Sequence, residues 1–206
     1  CNLPDIKIDE GQIQKGQKVG SVGMPIPGTS IKIVDSKTFK VLPIGKEGMV
    51  LIGGVQIMKG YLNDKDKTNS VIKTINNKSW YVTGDKGKVD KDGFLTIIDR
   101  YSRFAKLGGE MVSLGAIESR LSSFIENEEI EYVATSVKDE KKAEKIVLLI
   151  SGISELDVSK LKSKVIEMFD NKLMIPSTYK IVKEIPKLGS GKKDYANAKK
   201  LALNTD

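Results

Sequence analysis

The reactive side chains available to this protein are defined first by an exclusion. Its 206 residues contain no histidine and one cysteine, which removes every Ser-His and Cys-His nucleophilic pair and every His-bearing zinc set. Chemistry must therefore run on Lys, Arg, Asp, Glu, Ser, Thr or Tyr. Four places carry suitable types at suggestive spacings. Lys192, in PKLGSGKK, follows two closely spaced glycines, so a flexible turn presents an ammonium to an anion. It does not end a P-loop, because the first glycine of G-x-x-x-x-G-K-[ST] falls on Pro186 and the hydroxyl position on Lys193. The alternative is a mobile surface loop with lysines. Asp85, in YVTGD, reads as a carboxylate on a glycine turn between strands, able to accept two hydrogen bonds from a diol such as a ribose. An Asx-type turn is the competing reading. Arg100, in IIDRYSRFAKLGGE, can clamp a phosphate or ribose, or pair with an acidic neighbour. Just downstream, Lys106 stands beside Gly108 and Gly109, a pair that either lets backbone approach a ligand or turns tightly between strands.

The elements that must position these residues differ between the two halves. Residues 1–30 are rich in Gly, Pro and Gln and read as loop. IKIVDSKTFKVLP reads as strand, turn, strand, and GKEGMVLIGG as a further strand. After a polar stretch at residues 63–78, WYVTGDKGKVDKDGFLTIIDR gives two or three strands with a turn at residues 91–93. No helical period of useful length appears before residue 113, so the first half is expected to be all-β. Beyond it, Ser113 caps a helix carrying Leu114, Ile117, Leu121, Phe124 and Ile125. EYVATSV and KIVLLIS read as strands around the charged turn KDEKKAEK. Asp157 is expected to cap a second helix bearing Val158, Leu161, Val165, Met168 and Phe169. TYKIVKEI reads as a short strand, and a last helix runs from about Asp194 with Tyr195, Ala198 and Leu201. The whole is α+β, divided into residues 1–101 and 102–206.

Composition sets the remaining bounds. At 39% hydrophobic and 30% charged residues the chain is an ordinary globular one. No apolar run approaches the roughly 20 residues that span a bilayer. The first ten residues, CNLPDIKIDE, carry neither a start methionine nor a signal pattern and read as the middle of a longer polypeptide. A charge of +7, from 34 basic and 27 acidic residues, favours an anionic partner, unless it is only a lysine-rich solvated surface. Nucleic acid is the poorer partner, since aromatic residues are 6% of the chain and no aromatic pair lies on a basic strand.

Taken in order, GMVLIGG, MKGYL, YVTGD, DR with K-x-x-G, and PK-x-x-SGK resemble the adenylate-forming superfamily of acyl-CoA synthetases, peptide-synthetase adenylation domains and luciferases. The resemblance covers essentially the whole chain. More narrowly, RFAKLGGEMVSL followed by IPKLGSGKKDY is similar to the synthetase half of the bacterial bifunctional 2-acylglycerophosphoethanolamine acyltransferase/acyl-[acyl-carrier-protein] synthetase family. The superfamily resemblance implies ATP-dependent activation of a carboxylate to an acyl-adenylate, then transfer to a thiol. It implies that residues 1–101 are the β-barrel-like tail of a large adenylation domain and residues 102–206 a small mobile lid. The acyl pocket, the phosphate loop and the glutamate that helps bind Mg²⁺ would lie outside this sequence, so the chain alone is expected to lack adenylation activity.

Carried over position by position, the resemblance makes Lys192 the lysine bridging the attacking carboxylate and the α-phosphate. Asp85 becomes the ribose ligand and Arg100 the second nucleotide contact. Ser102 falls at the hinge, where many relatives have Asp or Lys, a departure that puts the hinge residue's identity in doubt. After lid rotation Lys106 would replace Lys192, with Gly108 and Gly109 leaving room for a pantetheine arm. The implied partners are a fatty acid, the rest of the polypeptide, and acyl carrier protein or coenzyme A, both acidic and both compatible with the positive charge. The narrower resemblance also implies a cytoplasmic parent, peripherally associated with the inner face of the bacterial inner membrane, that feeds lysophospholipid acylation.

Overall fold

Runs of apolar residues at strand spacing build a separate sheet in each half of the chain. The computed structural model describes residues 1–140 and 143–204, and among these the chain divides into two units, Cys1–Ser102 and Arg103–Asp206. No helix among the described residues is long and apolar enough to cross a membrane.

In the first unit, β1 (Ile6–Lys7) and β2 (Ile13–Gln14) form a small antiparallel ribbon within the stretch that reads as loop. The main sheet follows with β3 (Thr29–Val34), β4 (Gly48–Gly54), β5 (Ile72–Ile75), β6 (Lys78–Val89) and β7 (Leu95–Arg100). Its order is β3-β4-β6-β5, and β7 pairs with the far end of the long β6. Alternation explains why β4 reads as an unbroken apolar run. Met49 and Leu51 pack with Val34 and Trp80, while Val50 packs with Ile33 and Leu95.

Two expectations for this half are corrected. The segment after Asp35 does not form a second strand. Val41 makes a lone bridge to Val34, because Phe39 turns through a left-handed φ of 56° and Pro43 has no N–H for a ladder. Nor is the half all-β. The helix α1 (Lys65–Val71) is capped by Asp64, whose carboxylate accepts the Lys67 N–H at 2.9 Å. It buries no side chain, so no hydrophobic period marks it.

The second unit has β8 (Phe104–Leu107), β9 (Glu110–Ser113), α2 (Leu114–Ser122), β10 (Glu131–Asp139), β11 (Ala143–Ser151), α3 (Glu155–Met168), β12 (Thr178–Ile181) and α4 (Tyr195–Asn204). The sheet order is β10-β11-β8-β9, with β12 parallel to β11. Helices cover both faces of β10 and β11, so these strands are apolar in both directions. Ala134, Ile146, Leu148 and Ile150 meet Leu114, Ile117 and Leu121 of α2 and Val158, Leu161 and Val165 of α3. Val133, Val137, Val147 and Leu149 meet Ala198 and Ala202 of α4 on the other side.

Ser113 caps α2 as expected, accepting the Ala116 N–H at 3.0 Å, but the helix ends before Phe124 and Ile125. The cap of α3 is Ser154 rather than Asp157. Ser154 Oγ accepts the Asp157 N–H at 3.3 Å and donates to Asp157 Oδ2 at 2.6 Å, so Asp157 is the reciprocal partner one turn in. The charged turn between β10 and β11 includes Lys141 and Lys142, which lie outside the described residues.

Candidate functional site

The first unit brings Asp85 and Arg100 together. Asp85 lies inside β6 rather than on a turn between strands, which corrects the reading of YVTGD. Register pairs Leu51 with Val82 and Met49 with Lys86, so residues 83–85 stand opposite Val50 alone and the strand bulges. The hydroxyl of Thr83 secures the bulge by donating to the Val50 carbonyl at 2.9 Å and accepting the Asp85 N–H at 3.0 Å. Gly84 makes it sterically possible with a φ of 78°. Past the bulge, Asp85 pairs in register with Arg100 of β7. Arg100 Nε donates to Asp85 Oδ1 at 3.1 Å, with the arginine side chain 68% exposed and the carboxylate 24%. Oδ2 takes no part in this pair.

Ser102, the last residue of the first unit, sits exposed in a short 3₁₀ turn, Tyr101–Arg103. In the second unit, Lys106 is an outward residue of β8 between buried Ala105 and Leu107. Its backbone N–H donates to Glu144 Oε2 at 2.6 Å, and its side chain is exposed. Of the two readings open for the glycine pair, the tight turn is the observed one. Leu107 and Glu110 close a two-residue hairpin whose central residues, Gly108 and Gly109, have φ of 57° and 92°. A Cβ on either glycine would have nothing within 4 Å, so both also border open space.

Lys192 belongs to a narrow hydrogen-bonded hairpin rather than an untethered loop. Lys187 bridges Lys193, Leu188 N–H donates to the Lys192 carbonyl at 2.8 Å, and Asp194 N–H donates to the Pro186 carbonyl at 2.8 Å. The Gly191 N–H closes the tip on the Leu188 carbonyl at 2.8 Å. Side chains fasten the base: Lys187 pairs with Glu131 at 2.6 Å and Lys193 with Glu118 at 3.3 Å. Asp194 then caps α4, its Oδ1 accepting the N–H groups of Ala196 and Asn197 at 3.1 Å. The Lys192 side chain is exposed.

Glu118 and Arg103 are the residues that motif reading passes over. Arg103 Nη2 donates to Glu118 Oε1 at 2.8 Å, and the two side chains are each 11% exposed. The signal was present in the sequence. Glu118 falls four residues after Leu114 and three before Leu121, which puts an acidic side chain on the apolar stripe of α2. Among the described residues no group of three or more Cys, Asp or Glu could hold a metal ion.

Comparison with known proteins adds to this geometry. Residues 8–62 match the AMP-binding enzyme family. The chain is 35% identical over 182 residues to 4-coumarate–CoA ligase CCL1 of Humulus lupulus, a match covering 85% of this chain and 31% of the ligase. It is 26% identical over 205 residues to nonribosomal peptide synthetase 7 of Aspergillus fumigatus, covering 92% of this chain and 8% of the synthetase. The chain thus spans under a third of the length of the coumarate ligase. Among solved structures, the ATP-bound RpMatB-BxBclM chimera B1 superposes with a TM-score of 0.77 at 26% identity, over 90% of this chain and 36% of the other. O-succinylbenzoate coenzyme A synthetase (MenE) of Bacillus subtilis in complex with AMP gives 0.68 at 26% identity, over 89% and 37%.

Proposed function

We propose, for a chain whose family is that of the AMP-binding, adenylate-forming enzymes, that it is the C-terminal part of a ligase that activates a fatty acid with ATP. The enzyme passes the acyl group from an acyl-adenylate to a phosphopantetheine thiol and so feeds lysophospholipid acylation. Residues 1–101 form the end of the large domain and residues 102–206 the lid, which swings about Ser102 between the two half-reactions. Part of this reading is supported by the first unit's surface. Val19, Val55 and Leu62 are each more than 90% exposed, apolar side chains suited to packing against further protein.

The observation that carries the proposal is the hairpin that ties down Lys193 and leaves the Lys192 ammonium exposed. A cation facing solvent on a tied-down backbone suits adenylation, because the carboxylate attacks a phosphorus already surrounded by negative oxygens. The carboxylate donates an electron pair from oxygen to the α-phosphorus, and pyrophosphate leaves with the bonding pair. Lys192 holds the two anions together. Asp85 accepts from the ribose diol, using the oxygen that Arg100 leaves outside the pair, and Arg100 supplies positive charge next to the nucleotide. Magnesium, implied for the full-length enzyme by the resemblance, would be held by groups outside this chain. In the second half-reaction the open turn at Gly108 and Gly109 admits the pantetheine arm beside Lys106. The thiolate attacks the acyl carbonyl carbon and AMP departs.

Two carriers present the same thiol. Acyl carrier protein is the first reading, resting on the segments RFAKLGGEMVSL and IPKLGSGKKDY and on the +7 charge. Coenzyme A is the second, supported by relatives named as coenzyme A ligases. The test is to supply the full-length parent with ATP, Mg²⁺ and a fatty acid, and to offer holo-acyl carrier protein and coenzyme A in parallel arms. AMP release with acylation of the carrier protein at the higher kcat/KM is the expected result. Preference for coenzyme A would establish the second reading, and ADP instead of AMP as product would overturn both.

A further inference from the structure

Glu118 is a buried carboxylate that none of the steps above uses. Its Oε1 accepts from Arg103 Nη2 at 2.8 Å and from the Ala134 N–H at 2.9 Å, which holds the side chain between α2 and β10. Its Oε2 accepts from Lys193 Nζ at 3.3 Å. Two aromatic rings complete the cluster. The Lys193 ammonium lies 4.8 Å from the Tyr132 ring centroid, and the Arg103 guanidinium 3.9 Å from that of Tyr195. Burial, together with the Glu118 charge, raises the Tyr132 phenol above its ordinary range. The cluster therefore grips the hairpin at Lys193 and, two residues on, the first residue of α4 at Tyr195.

Lys192 and Lys193 are adjacent and chemically identical, so nothing in their own side chains decides which one turns inward. Lys193 bridges Lys187 and turns its ammonium to Glu118, while Lys192, at the bend after Gly191, is exposed. With Lys193 held by the buried carboxylate, Lys192 is the lysine left to solvent, and a one-residue slip of the arm would exchange the two. We infer that Glu118 is a positioning residue for Lys192: by taking Lys193 as its partner it fixes the face of the hairpin on which the adenylation lysine stands. The inference rests on the reading of Lys192 given above.

The full-length parent tests it with Lys193→Met, Lys193→Arg and Lys192→Ala. Each is assayed for fatty-acid-dependent ATP–pyrophosphate exchange and for turnover of pre-formed acyl-adenylate with the thiol. Lys193→Met leaves Glu118 Oε2 without its lysine and so able to draw Lys192 inward, while Oε1 keeps Arg103 and the Ala134 N–H. The expected result is a fall of about 10- to 100-fold in kcat for exchange, an unchanged KM for ATP, and unchanged turnover of the acyl-adenylate. Lys193→Arg, which keeps a cation for Glu118, restores exchange. Thermal unfolding of Lys193→Met close to wild type shows that the loss is not one of folding. Exchange abolished in Lys192→Ala but intact in Lys193→Met would overturn the inference alone. Exchange intact in Lys192→Ala would overturn the reading of Lys192, and this inference with it.

Discussion

Asp85 and Arg100 face each other across β6 and β7, in register and joined by an Nε–Oδ1 hydrogen bond of 3.1 Å. Fifteen residues of sequence separate them, and the antiparallel pairing of β6 with β7 makes them neighbours, in a stretch whose register shifts just past the pair, between Lys86 and Gly87.

This pair is exposed on its arginine side, so it contributes little to folding, on the order of 1 kcal/mol or less. Asp85→Asn keeps the shape and removes the charge that a ribose diol would meet. In the full-length parent the expected outcome is a rise of about tenfold in KM for ATP, equivalent to roughly 1.4 kcal/mol of nucleotide binding. Unfolding should be nearly unchanged. An unaltered KM with lowered stability would mark the pair as structural only.

Gly84 carries the geometry that aims Asp85. Its φ of 78° is left-handed, and an added Cβ would clash with nothing. Gly84→Ala therefore isolates the backbone cost, about 1–2 kcal/mol for a left-handed residue with a side chain. Urea denaturation of this chain should show a lower midpoint at constant m. A loss well beyond that range would mean that the bulge itself had rearranged.

How far the sequence disclosed all this depends on what kind of signal each feature leaves. Elements that bury an apolar face were legible: α2 from Leu114, Ile117 and Leu121, and α3 from Val158, Leu161 and Val165. The helix α1 was not, because it buries no side chain and its start is marked only by the polar cap Asp64. The cap of α3 reads three residues late in the sequence because Ser154 and Asp157 act reciprocally and either alone is a good capping residue. Asp85 was found, but its bulge depends on a hydrogen bond from Thr83 to Val50, 33 residues away, which no local pattern encodes. Glu118 was missed for the opposite reason. Its signal was local, a carboxylate on an apolar stripe, but its partners Arg103 and Lys193 lie 15 residues before it and 75 after.

Tyr179 offers a pH-dependent check on the packing of the second unit. Burial pushes its phenol up to about 12, and its hydroxyl has no hydrogen-bond partner among the described residues. The unfolded chain would ionise this phenol near pH 10. Between about pH 10 and 12 the unfolded state therefore binds fewer protons than the folded one, and stability falls as pH rises. Tyr179→Phe should remove that component of the alkaline loss. Near neutrality it should be neutral or stabilising by up to about 1 kcal/mol, since it deletes an unsatisfied buried group. Denaturation curves of the two forms from pH 8 to 11 measure this directly, and parallel alkaline losses would contradict it.

The most direct test of the account is the separation of its two half-reactions in the full-length parent. Lys192→Ala and Lys106→Ala are compared with wild type in fatty-acid-dependent ATP–pyrophosphate exchange and in thiol acylation from pre-formed acyl-adenylate. The account predicts that Lys192→Ala loses exchange while still consuming acyl-adenylate, and that Lys106→Ala keeps exchange while losing the transfer. Both variants failing equally in both assays, or neither failing in either, would contradict it.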